Sequence, residues 1–211
     1  MNTKNLPTEI PVFPLANAIL FPGTILPLNI FEKRYIQLVD DCMKDKRLFG
    51  MIQPKIKTDL ETRVYNVGCL GKIISFNETN DKRFIITLSG ISRFKVKEEL
   101  ANKKLYREFK VDYSDFENDT NLKSKKEDYN LSYLLNKSKI LFNKKDYIID
   151  WTEIEKLDFE RLISAICMIA PFSVEEKQKL IETPNTNEKL KVLEEIINFN
   201  LLDNLENKTI Q

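Results

Sequence analysis

The chain has 211 residues, 42% hydrophobic and 31% charged, with 33 Lys and Arg against 32 Asp and Glu. That length is enough for one large domain or two small ones with a substantial core, and a net charge of +1 calls for no polyanionic partner. The absence of histidine removes the commonest general base, proton shuttle and metal ligand, while Cys42, Cys69 and Cys167, odd in number and far apart, fit neither a disulfide framework nor a zinc motif.

The N-terminus, MNTKNLPTEIPVF, has no basic region leading into a continuous apolar core. No secretion signal is therefore expected, and the cytoplasm is the expected compartment, with the cysteines as buried thiols. Residues 13 to 35 read FPLANAILFPGTILPLNIFEKRY. Pro14, Pro22, Gly23 and Pro27 break this apolar stretch too often for one helix or a membrane span. Two short strands, Ile10 to Phe13 and Ile25 to Phe31, joined through a Pro-Gly turn, are the expected reading. Because turns lie on the surface, Ile19, Leu20, Phe21 and Pro22 are candidates for an exposed apolar contact site, with Met51 as a further candidate.

A helix is expected from Glu32 to Lys46. Tyr35, Leu38, Val39, Cys42 and Met43 form one stripe at helical spacing. Glu32 is expected in its first turn, and Lys44, Lys46 and Arg47 in its last, matching the helix dipole. Arg34 and Glu32 read as a local ion pair at the corner. Leu48 to Ile52 is a strand stopped by Pro54, followed by a polar loop at 55–63. Period-two alternation then marks strands through Phe84–Leu88, Phe94–Val96 and Phe109–Tyr113, with a hairpin turn at Asn80-Asp81. Gly68 and Gly71 are read as marking a bulge or tight bend. Several strands around one helix suggest a small closed or partly closed barrel.

The polar run SDFENDTNLKSKK marks the boundary between subdomains 1–114 and 115–211. The first carries 19 Lys and Arg against 13 Asp and Glu, a surplus of six; the second has a deficit of five. The pattern beyond the boundary is helical. Leu131, Leu134, Leu135, Ser138, Leu141 and Phe142 share one face. Asp150, with Glu153, is the expected cap of a helix carrying Leu162, Ile163, Ile166, Cys167 and Ala170, ended by Pro171. Ser173 and Glu176 form a clearer capping box. Asn185 with Glu188 starts the last helix, whose apolar face runs through Leu190, Leu193, Ile196, Ile197, Leu201 and Leu205.

Catalytic patterns are absent. Gly68-Cys69-Leu70-Gly71-Lys72 lacks the spacing of a phosphate-binding loop. Asp40 and Asp41 point about 100° apart on a helix, and no cysteine has a histidine to activate it. The basic surplus of the first half and the basic-aromatic runs Arg93-Phe94-Lys95 and Tyr106-Arg107 hint at nucleic-acid contact, and ordinary strand alternation accounts for the runs. No cofactor and no metal are called for.

The segments FPLANAILFPGTILPLNIFEKRY, FGMIQP (49–54), VGCLGKI (67–73) and LSGISRFKV (88–96) resemble the N-terminal substrate-binding domain of the ATP-dependent protease Lon. DWTEIEKLDFERLISAICMIAPFSVEEKQKLIE (150–182) resembles the helical half of that domain. The resemblance spans Ile10 to about Leu202, with the motifs in order. It implies an α+β protein: a PUA-like β-barrel with one inserted helix, then a C-terminal α-helical bundle. It also implies a non-catalytic module, like the stand-alone family members, since the chain ends before an ATPase or peptidase could begin. The expected partners are unfolded or partly unfolded polypeptide segments held through apolar contacts, together with a Lon-type protease; weak self-association is compatible, and a membrane is not. The alternative is a PUA-like barrel binding RNA or a small ligand, with nucleic acid disfavoured by the near-zero net charge.

Overall fold

The structure, a computed structural model, describes residues 5–57, 62–120 and 130–206. The chain divides into two compact units, Met1–Leu122 and Lys123–Gln211. The division falls beyond the expected 114/115, because Ser114–Thr120 forms a 3₁₀ segment bonded to the sheet of the first unit.

The first unit is built of β1 (Glu9–Pro14), β2 (Ile25–Ile30), α1 (Lys33–Met43), β3 (Leu48–Ile52), β4 (Pro54–Lys57), β5 (Thr62–Val64), β6 (Val67–Glu78), β7 (Phe84–Leu100) and β8 (Arg107–Asp112). Its main sheet has the order β2-β7-β6-β3-β1-β8. All neighbours are antiparallel except β1 and β3. The 17-residue β7 pairs through its first half with β2 and through its second half, Lys95 to Leu100, with β8. Pairing therefore runs around β7, β6, β3, β1 and β8, and the sheet curls into a barrel-like shape with one face inside. Period-two burial follows: Phe84, Ile86 and Leu88 are inside, and Ile85 is outside.

Several local expectations are corrected. β1 and β2 are not a hairpin: β1 lies between β3 and β8, and β2 pairs with β7. Helix α1 is shorter than expected, with no acidic residue in its first turn and no basic residue in its last. Glu32 stands at the N-cap without capping, its carboxylate taken by Arg34 Nη2 at 2.8 Å. Lys44 is the C-cap, and Arg47 has a φ of 61°, outside any right-handed helix. The strand β3 runs Leu48–Ile52 as expected and stops ahead of Pro54. Pro54 opens β4, which pairs with β5 as a separate two-stranded ribbon where a polar loop was expected; positions 58–61 of that loop lie outside the described residues. The expected bend in β6 is present as register shifts at Leu70/Gly71 and Ile73/Ser75.

One core cluster gathers Ile10, Val12, Leu70, Phe94, Phe109 and Val111 from four strands. Among the described residues β2 has β7 as its only strand neighbour. Counting by twos from Thr24, whose carbonyl accepts from Gly90 N–H at 2.9 Å, the backbone groups of Ile25, Pro27 and Asn29 point to the open side. Pro27 has no N–H to offer there.

The second unit contains α2 (Leu131–Lys144), α3 (Trp151–Glu155), α4 (Phe159–Ile169), α5 (Val174–Glu182) and α6 (Thr186–Glu206). Leu134, Ser138, Leu141 and Phe142 of α2 are buried on one face, as the spacing predicts. The helix expected from Asp150 onward is two helices. Asp150 caps only the five-residue α3, and Asp158, in extended conformation, accepts from Arg161 N–H to start α4, which carries the buried stripe. The Ser173/Glu176 capping box forms in both directions. Asn185 Oδ1 accepts from Glu188 N–H at 2.9 Å ahead of α6, of which Leu190, Leu193, Ile196 and Ile197 are buried; the Leu205 side chain lies outside the described residues.

The 3₁₀ segment is held by a buried ion pair. Arg93 of β7 donates from Nε and Nη2 to the two carboxylate oxygens of Asp119 at 2.8 and 2.7 Å, and its backbone N–H adds a third bond at 2.9 Å. The two side chains are 4% and 9% exposed, and the guanidinium lies 4.4 Å from the Phe116 ring centre. Removing one member of such a pair leaves a buried charge without its counter-ion. Asp119→Ala is expected to cost about 3–5 kcal/mol, read as a lower urea midpoint, and Asp119→Asn less.

Candidate functional site

The structure brings the apolar candidates at the Pro-Gly turn together, but inside the core. Ile19, Leu20, Phe21 and Met51 are 3%, 0%, 0% and 2% exposed, and Pro22 is buried with them. They are not surface anchors. The turn they flank can be buried because its backbone is satisfied. Thr24 N–H donates to the Phe21 carbonyl, and Phe21 N–H donates to Thr24 Oγ1 at 3.2 Å. Gly23 N–H reaches the Gly90 carbonyl of β7 at 3.0 Å. Gly23, with φ 75°, follows Pro22 as a tight turn with a left-handed third residue requires. A Cβ at Gly90 would sit 2.0 Å from the Phe21 carbonyl oxygen, so only glycine lets the segment lie this close to β7. Burial of each such side chain is worth about 1.5–3 kcal/mol, which outweighs keeping it exposed for a partner.

An accessible concavity among the described residues lies elsewhere in the first unit, where α1 meets β1 and the connection between β7 and β8. That connection is pinned to α1: Leu105 N–H donates to Gln37 Oε1 at 2.9 Å, and Tyr106 OH donates to Asp41 Oδ2 at 3.0 Å. It is further braced by Asn102, whose amide nitrogen bonds Glu108, and by Lys104, paired with Glu108 at 2.7 Å. The result is a cleft of about 230 Å³ lined chiefly by Pro14, Arg34, Tyr35, Leu105, Tyr106 and Arg107. Leu105 is 63% exposed at its mouth. The Tyr35 ring packs 3.9 Å from Phe13, and its hydroxyl donates to the Pro14 carbonyl at 3.4 Å. Burial raises the Tyr35 phenol, and burial pushes Tyr106 up to about 12 with Asp41 adding to the rise. Both hydroxyls therefore remain donors at neutral pH.

Beyond Tyr106 a second depression of about 330 Å³ has a different character. Glu9, Asp41, Asp45 and Glu108 line it with Lys46 and Lys104. The two hollows share Tyr106 as a wall, so cationic lining on one side passes to mainly anionic lining on the other.

The arrangement offers contact chemistry. Burial pushes the Cys42 and Cys167 thiols up to about 12, so neither is a nucleophile at neutral pH. Among the described residues no group of three or more His, Cys, Asp or Glu side chains is placed to hold a metal ion. The basic run that hinted at nucleic acid is engaged by its neighbours. Arg93 holds Asp119, Lys95 lies 3.4 Å from Asp115, and Lys97 lies 3.0 Å from Asp112. In the sequence Arg34 reads as half of a corner ion pair, which it is, and Tyr106-Arg107 as a hint of nucleic-acid contact that strand alternation accounts for. Neither reading revealed that α1 and this connection form one cleft. The adjacent aromatic and basic residues at 34–35 and 106–107 were the available signal.

A curled sheet carrying one helix, followed in the chain by a helical unit, makes a two-part α+β protein. The chain belongs to the ATP-dependent protease La (Lon) substrate-binding domain family, whose model matches residues 9–198. Lon protease 2 of Myxococcus xanthus is 24% identical over 204 residues, 94% of this chain and 24% of that protein. The Lon protease of Dictyoglomus thermophilum is 24% identical over 192 residues, 89% of this chain and 24% of that protein. The chain thus spans about a quarter of the length of these relatives. In fold it is similar to a Lon N-terminal domain protein from Xanthomonas campestris, with a TM-score of 0.61 and 21% identity over 89% of this chain and 97% of that one. It is also similar to the N-terminal domain of the Mycobacterium avium complex Lon protease, with a TM-score of 0.58 and 15% identity over 90% and 98%. Among the described residues no helix is long and apolar enough to cross a membrane.

Two outcomes follow from the burial at this site. Phe21→Ser is expected to lower stability by about 3–5 kcal/mol, seen as an early thermal transition. Iodoacetamide at pH 8 is expected to leave Cys42 and Cys167 unmodified in the folded protein and to label both in urea. Unfolded thiols ionise near pH 8.5, whereas the folded ones hold their protons well above it.

Proposed function

We propose that this protein is a non-catalytic module that holds unfolded or partly unfolded segments of other polypeptides, in the cytoplasm, as a substrate-selecting partner of proteolysis. Membership of the Lon substrate-binding family carries this reading. The Tyr35–Leu105–Tyr106 cleft supports it locally: it is smaller than the roughly 300–1,000 Å³ typical of small-molecule sites, a size that suits one or two side chains of an extended chain. An exposed leucine, proline walls and tyrosine rings with polar tips are the side chains that make such contacts. Contacts of this extent give weak, adaptable binding, near micromolar or about −8 kcal/mol. The RNA alternative has less to draw on, since Arg93 of the basic-aromatic run is buried against Asp119.

The test is fluorescence anisotropy of labelled, unstructured peptides titrated with the folded protein. Binding is expected for peptides with aromatic and aliphatic residues. Leu105→Ser is expected to weaken it about tenfold, the range for losing one buried apolar side chain, with an unchanged thermal midpoint because Leu105 contributes little to the core. Absence of any peptide binding, or full binding by Leu105→Ser, removes the cleft from the account.

A further inference from the structure

The lining of the cleft specifies more than apolar contact. Arg34 comes from α1 and Arg107 from β8, and both line the same hollow. The Arg34 guanidinium lies 4.5 Å from the Tyr35 ring centre, and Arg34 and Arg107 both oppose the rise that burial causes in the Tyr35 phenol, while Glu32 adds to it. Among the described residues no carboxylate lines the hollow, while the neighbouring depression across Tyr106 is lined by Glu9, Asp41, Asp45 and Glu108. A carboxylate on a bound chain is attracted on one side of Tyr106 and repelled on the other, which fixes where it lies.

We propose that the cleft selects extended polypeptide segments in which an Asp or Glu side chain neighbours a large apolar residue. The apolar side chain packs on Tyr35, Pro14 and Leu105, and the carboxylate is held by Arg34 and Arg107. Because the two arginines come from separate elements, a segment running through the cleft passes between them, which favours an internal side chain over a chain terminus. This inference rests on the polypeptide-binding reading above.

The arginines hold carboxylates now. Arg107 donates to Glu99 through Nε at 2.6 Å and Nη2 at 2.5 Å, and Arg34 donates to Glu32 from Nε at 2.9 Å. Glu99 and Glu32 are each 46% exposed. The single-face Arg34–Glu32 pair, about half exposed on both sides, is the weakly held one, whereas the bidentate Arg107–Glu99 pair, with Arg107 28% exposed, is held more firmly. Arg–carboxylate geometry is the one the ligand would reproduce, so Glu32 and Glu99 are intramolecular competitors that an acidic segment displaces.

The experiment uses the full chain and four labelled peptides, N-acetylated and C-amidated except where stated. One has an Asp beside a Phe, one has Asn in place of Asp, one has Lys in place of Asp, and one has Asn beside Phe with a free C-terminal carboxylate. The Asp peptide is expected to bind about tenfold more tightly than the Asn peptide at low salt, the range for a charge-assisted bond, and the Lys peptide more weakly still. The preference is expected to shrink as salt is raised. Arg34→Gln with Arg107→Gln is expected to abolish the Asp preference while retaining the binding of the Asn peptide. Glu32→Gln with Glu99→Gln is expected to tighten the Asp peptide severalfold, a gain of function that misfolding cannot imitate. Equal binding of Asp, Asn and Lys peptides overturns this inference and leaves polypeptide binding standing. Tighter binding of the free-carboxylate peptide than of the Asp peptide overturns the choice of an internal side chain. Failure of all four to bind removes both readings.

Discussion

The hydrogen atom that stands for a side chain at Gly90 is the constraint on which the first unit depends. It allows the Phe21 carbonyl to approach β7 to a distance that any Cβ would forbid. That approach lets Gly23 N–H and the Thr24 carbonyl bond to Gly90, which satisfies a loop backbone that would otherwise need water. With its backbone satisfied, the segment carries Ile19, Leu20 and Phe21 into the interior. Leu20 in turn lies near Gly71, at the β6 bulge. Interior packing is dense enough that such local fits are not interchangeable with looser ones. The same pieces therefore decide that this loop is structure and that the outer surface must supply any contact site.

How much was legible in the sequence follows from the range of the interactions involved. Patterns closed within a few residues read well. The α1 stripe at Tyr35, Leu38, Val39 and Cys42, the Ser173/Glu176 box and the alternation along β7 are all local, and all are found. Where two local signals competed, the reading went astray. Asp150 and Asp158 are both good caps eight residues apart, and periodicity alone did not reveal that the second one starts the buried helix. Long-range facts were not legible. β1 and β2 resemble a hairpin until β7 claims one and β3 the other. Arg93 looks like an exposed strand cation until Asp119, far along the chain, neutralises it. The cleft has the same origin, because Gln37 and Leu105 are joined only by the fold. Apolar composition near a turn was a poor guide to exposure, since it is also what a core segment looks like.

The cleft fits the proposed role of holding varied chain segments and releasing them. Its floor is rigid, with the β7–β8 connection fixed to α1 and braced by Asn102 and Lys104, so little ordering is needed when a chain arrives. Its grip is small, because few side chains fit. Rigidity without extent gives modest affinity with a defined preference, the combination that lets a substrate pass onward.

The proline in β2 has a consequence for the molecule's own solubility. A strand with one open side is a template on which another chain can add. Pro27 interrupts the outward row of donors at its centre. A chain laid along this margin meets a gap midway and cannot pair continuously from end to end.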